Sequence, residues 1–85
     1  MERVASPLSS VLDARIARAA RAYTKLSHKN LGSAAGVATR TIVKLEKKGR
    51  IDAACLERIM GVFARRGIVF LYDRRGVVVG MKFTL

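Results

Sequence analysis

The sequence predicts a mainly α-helical domain: four helices, then a C-terminal β-hairpin that pairs across a dimer. Three observations carry that expectation. Apolar residues recur at helical spacing through residues 9–66, glycines and capping residues divide that stretch into four pieces, and beyond Gly67 the texture changes to alternating β-branched and aromatic residues. With 85 residues, 51 % of them hydrophobic, the chain has material for one small core and no room for a second.

Residues 1–8, "MERVASPL", hold the one proline and no periodicity, and read as an N-terminal arm. The first helix is expected to start at a cap, Ser9 or Ser10, with Asp13 in its first turn, where a carboxylate suits the positive end of the helix dipole. Leu12, Ile16, Ala19, Ala20 and Tyr23 share one face of it, and Arg15, Arg18 and Arg21 take the other. A second, short helix is capped by Ser27 and ends at Gly36, the residue type favoured where a chain leaves a helix in a left-handed conformation. The corner therefore falls at 36–37. A third helix over about 38–47 turns Ala38, Ile42 and Leu45 inward and Arg40, Val43, Lys44 and Lys47 outward, and Gly49 closes it. The fourth begins at the cap Asp52 and stops at Gly67, with Leu56, Ile59, Met60 and Phe63 as its apolar stripe. Met60 and Cys55 read as packing residues.

Residues 67–85 form the hairpin. "DRRG" is its turn, with Gly76 in it, and the first arm, "IVFLY", is apolar on both faces. In the second arm Val77, Val79, Met81, Phe83 and Leu85 alternate with Val78, Gly80, Lys82 and Thr84. A lone two-stranded hairpin is marginal in water, so this one must pack on the helices and is expected to offer an edge to a second chain. Val77, Val79, Met81 and Phe83 are the expected dimer contacts.

The 17 Lys and Arg against 6 Asp and Glu leave a net charge of +11, a field that draws polyanions. No run of about 18 apolar residues is present to span a bilayer. The N-terminus lacks an apolar stretch of signal-peptide length, so a cytoplasmic protein is expected. One cysteine and one histidine cannot build a disulfide or a zinc site. With no paired nucleophile and base and no phosphate-cradling glycine loop, neither an enzyme nor a cofactor is expected.

Two short helices joined at a glycine corner, the second with a basic outer face, have the geometry that places a helix in the DNA major groove. The stretch "RAARAYTKLSHKNLGSAAGVATRTIVKLEKKGR" resembles the helix-turn-helix of the Cro and phage-repressor class, the XRE family. The resemblance extends from about residue 15 to 66 and rests on Leu31, Ala35, Gly36, Val37, Ile42, Leu45 and Glu46 at the family's spacing. It makes 9–66 a DNA-binding domain and 38–47 a recognition helix.

By that resemblance Thr39, Arg40, Thr41, Val43 and Lys44 read base edges. Arg40 is the leading candidate, because a guanidinium bonds two acceptors of guanine at once. His28, where the family usually has glutamine, would contact a phosphate, with a pH-sensitive imidazole in place of an amide. Lys47, Lys48 and Arg50 match the family's backbone-contacting loop, and Arg21 and Glu46 match a structural salt bridge. Two departures stand out. Gly32 replaces the usual alanine, which lowers helix propensity but permits close helix approach, and Ala38 replaces the usual serine or threonine cap. The resemblance implies a homodimeric repressor, of a kind that often acts on its own promoter, on an inverted-repeat operator. The alternative is a protein-interaction module, an antiactivator or antitoxin, on the same scaffold.

Overall fold

In the computed structural model, which describes residues 10–84, the first helix starts later than the sequence suggests. Asp13, not a serine, is its N-cap, accepting from the Arg15 backbone N–H at 2.8 Å, and α1 runs over Ala14–Thr24. Ser10–Val11 instead forms a short strand, β1, paired antiparallel with β2, Arg50–Ile51. The pairing continues through Leu12, whose N–H donates to the Gly49 carbonyl at 3.0 Å. A partner close to 40 positions away in the chain leaves no local signal, so a local reading takes the serine as a cap. The residues of the proposed arm, 1–8, and Ser9 lie outside the described residues.

The corner falls where expected. Helix α2, His28–Ala35, is capped by the Ser27 hydroxyl and ends at Gly36, whose φ of 73° belongs to the left-handed region. The Val37 N–H returns to the Gly32 carbonyl at 2.9 Å, closing the helix end with a bond over five residues. Helix α3 covers Thr39–Lys48, one residue later than expected at each end. Its N-cap, Ala38, supplies no side-chain bond and is exposed, so it does not join Ile42 and Leu45 in the core. Gly32 accounts for the closeness of α2 and α3: a Cβ there would lie 2.8 Å from the Val37 carbonyl oxygen.

Helix α4, Ala53–Arg65, is capped by Asp52 and followed by the hairpin strands β3, Ile68–Tyr72, and β4, Val78–Phe83. The core gathers Leu12, Ala17 and Ala20 from the first part of the chain, Leu31, Ile42 and Leu45 from the corner helices, and Leu56, Ile59, Val62 and Phe63 from α4. Ile68 of β3 joins that same core. Val62 is part of the buried core, whereas Met60, expected in the apolar stripe, packs at its margin. No helix among the described residues is long and apolar enough to cross a membrane.

The hairpin departs from simple alternation. Ile68 pairs with Phe83, Phe70 with Met81 and Leu71 with Gly80, but Tyr72 pairs with Val78, so Val79 is an extra residue in β4. The bulge lets Val78 and Met81 both pack inward, although an unbroken strand would put them on opposite faces.

Candidate nucleic-acid interface

On a helical wheel at 100° per residue, Arg40, Lys44 and Lys47 fall on the side of α3 opposite Ile42 and Leu45, and Lys48 lies on the flank with Thr41. All four cations are exposed, and both apolar residues are buried. The one acid on this helix, Glu46, is turned inward and only 7 % exposed, so nothing on α3 itself neutralises the outer face. Thr39 at the helix start is exposed with Arg40, whereas Thr41 and Val43 are half-buried on the two flanks. The first turn receives no side-chain cap, so its backbone N–H groups add positive potential beside Arg40. Arg50 stands apart from this row, in β2.

Three helices meet at Glu46. Arg21 of α1 approaches it in a fork, Nε at 2.6 Å from one carboxylate oxygen and a terminal nitrogen at 3.2 Å from the other. His28, the first residue of α2, brings Nε2 to 3.1 Å from that second oxygen. Arg18 donates to the Glu46 backbone carbonyl, tying the last turn of α3 to α1 a second time. Burial pushes the Glu46 carboxyl up, but the Arg21 and His28 bonds and the charges of both outweigh it, and the group titrates below its ordinary value. An ionised carboxylate only accepts, so Nε2 carries the hydrogen it shares with Glu46.

The expected Arg21–Glu46 pair is therefore present, and it has two further members. His28 does not point at solvent alone; it is a structural partner of Glu46 that is still 40 % exposed. Of the arginines on the outer side of α1, Arg18 is exposed and Arg21 half-buried, and both reach toward α3. Helical spacing signals neither role. The only hint in the sequence is Glu46 itself, an acid on the inner side of a basic helix, which needs cations from elsewhere.

Of the four residues expected at a dimer contact, Val79, Met81 and Phe83 line one groove, although they differ in exposure. Val79, at the bulge, is 60 % exposed, and Val77 beside the turn is exposed as well. Met81 packs against the core, and Phe83 stacks on Tyr23 of α1 with ring centroids 3.9 Å apart. Between α1 and β4 runs an open groove lined by Ile16, Ala19, Val78, Val79, Met81 and Phe83, with the Asp13–Arg15 ion pair beside it. The other face of the hairpin exposes Val69 and Leu71, which the register sets opposite Lys82 and Gly80.

No protein-family model matches the chain, and no curated protein matches it.

Proposed function

We propose that the chain is a sequence-specific DNA-binding regulator of the helix-turn-helix kind, working in the cytoplasm as a homodimeric repressor on an inverted-repeat operator. The observation that carries this reading is a helix whose outer face is uniformly cationic while its inner face is held by a buried, fully partnered acid. Such a helix is stiff enough to present Arg40 and Lys44 at a fixed depth in a groove about 12 Å wide. In this docking α2 lies across the phosphates and α3 enters the major groove. Thr39, Arg40 and Lys44 are the base readers. Val43 and Thr41 on the flanks touch thymine methyls or sugars. Lys47, Lys48 and Arg50 follow the strand of phosphates.

Dimer formation falls to the hairpin, through the edge of β4, exposed Val77 and Val79 and the groove beside α1. A two-fold axis there sets half-sites about one helical turn, roughly 34 Å, apart. The exposed apolar hairpin also favours a second reading, a protein-interaction module that has kept the scaffold without reading DNA.

Selection of bound sequences from a random duplex library separates the two. Enrichment of a two-fold symmetric sequence is expected, and enrichment of nothing above bulk sinks the DNA-reading proposal. Within an enriched site, Arg40→Ala should relax preference at one base pair, by about 1 to 3 kcal/mol. Lys48→Ala should weaken every sequence alike and flatten the salt dependence by about one unit of slope.

A further inference from the structure

Among the described residues β3 and β4 form a sheet of two strands, so each has one side that faces no other strand. The Thr84 N–H donates to the Gly67 carbonyl at 2.7 Å, which makes those facing residues a hydrogen-bonded pair. Bonded and non-bonded pairs alternate along an antiparallel ladder. Lys82 and Gly80, opposite Val69 and Leu71, therefore turn their backbone groups to β3, and the N–H and C=O groups of Phe83 and Met81 point to the open edge. Beside that edge lies the groove against α1, with Val79, Met81 and Phe83 in its lining. Apolar side chains and open backbone groups thus stand together, as an edge that accepts a further strand requires.

We infer that β4 pairs antiparallel with the β4 of a second copy of this chain, about a two-fold axis at Met81. This rests on the reading of the hairpin as the dimer contact, and it fixes the register of that contact. A strand that pairs with itself has few registers to choose from, since Met81 and Phe83 are the residues that offer bonds. An axis at Lys82 sets two ammonium groups opposite each other, in a non-bonded pair where side chains come closest. An axis at Phe83 leaves Val79 in water, at 60 % the most exposed of the large apolar residues described. The axis at Met81 does neither. It puts each Lys82 opposite the partner's Gly80, which has no side chain to oppose it, and each Phe83 opposite the partner's Val79. The bulge at Val79 ends the regular ladder there, so the bonds are few. A stable dimer buries roughly 800 Å² per partner, more than one short strand edge offers, so the groove is covered with it, Ile16 and Ala19 included.

Disulfide trapping of the full chain tests the register, with single cysteines placed in a Cys55→Ser background so that the one native thiol takes no part. The Cα atoms of a bonded pair stand about 5.5 Å apart, within disulfide reach. With the axis at Met81, the two copies of residue 82 are about 8 Å apart and those of residue 83 farther still, both beyond it. Met81→Cys should therefore cross-link at least about tenfold faster than Lys82→Cys or Phe83→Cys. In the unaltered chain, a dimer mixed from isotope-labelled and unlabelled copies should show a cross-chain Overhauser contact between the Cα protons of Gly80 and Lys82, which a non-bonded pair brings together. Val79→Lys alters an exposed side chain and should raise the dimer dissociation constant about tenfold or more with the fold intact. Faster trapping at 82 or 83, no contact between Gly80 and Lys82, or a Val79→Lys dimer as tight as the original overturns the inference alone. A chain that sediments as a monomer overturns both the inference and the homodimer reading beneath it. None of these measurements involves DNA, so the DNA-binding reading stands or falls separately.

Discussion

The corner of α2 and α3 and the hairpin of β3 and β4 are both exposed, and they expose opposite things. At the corner Leu31, Ala35, Ile42 and Leu45 are buried, the one acid has three side-chain or backbone partners, and what faces outward is Arg40, Lys44, Lys47 and Lys48. The hairpin turns outward Val69, Leu71, Tyr72, Val77 and Val79, all of them large and apolar. A solvated cation costs nothing in water, whereas a contiguous apolar surface on a small domain marks a place where something docks. Under the proposed function the two regions take different partners: a polyanion for the first and an apolar protein surface for the second. They also call for different failures, since the corner should break by unfolding and the hairpin by losing a contact.

The sharpest test of that contrast is Glu46→Ala. It strands Arg21 and unties α1, α2 and α3 together, and should destabilise the fold by about 3 kcal/mol in denaturant titration. Acid tests the same carboxylate without mutation. Its folded-state titration lies below the ordinary value of 4.5, so its contribution is fully present above that pH and is lost as pH falls further. The native chain should lose stability progressively below about pH 4.5, and Glu46→Gln should show a weaker acid dependence there.

Gly32→Ala comes next, at about 2 kcal/mol, because the added methyl meets a backbone carbonyl rather than a side chain that can swing away. A stability gain from this change, as helix propensity alone predicts, would show that α2 and α3 are not closely packed. The smallest stability effect belongs to the hairpin surface. Leu71→Lys should leave unfolding within about 0.5 kcal/mol, as expected for an exposed position. If the outer hairpin face contributes to association, that same variant should shift sedimentation toward the monomer, whereas an unchanged sedimentation profile rules that face out as a contact.

What was legible in the sequence follows from the range of the forces involved. Ser27, Gly36, Gly49 and Asp52 act within a turn of their own positions, and each stands where it was expected, at the end of a helix. The paired texture of the C-terminal segment likewise gave the hairpin and its turn, where Asp73 accepts from Arg75 and Val77. The start of α1 was not legible, because β1 is held by β2 across most of the helical region. The bulge at Val79 was invisible for a related reason: valine follows valine there, and only the partner strand decides which one faces in. At the candidate interface the cationic row could be read from periodicity, but the bonds of His28 and Arg18 to Glu46 could not, since they join residues on three helices.

The bulge has a consequence for solubility. A flat hairpin with apolar faces and open edges is a template on which identical chains stack without limit, as in fibrils. The extra residue in β4 breaks the even spacing of N–H and C=O groups along that edge and increases the local twist. A second strand finds regular pairing over only a short run, and Lys82 on the same strand adds like-charge repulsion against further layers. The irregularity works against open-ended growth, and a chain repaired to strict alternation by deleting Val79 would trade that restraint for a tendency to aggregate.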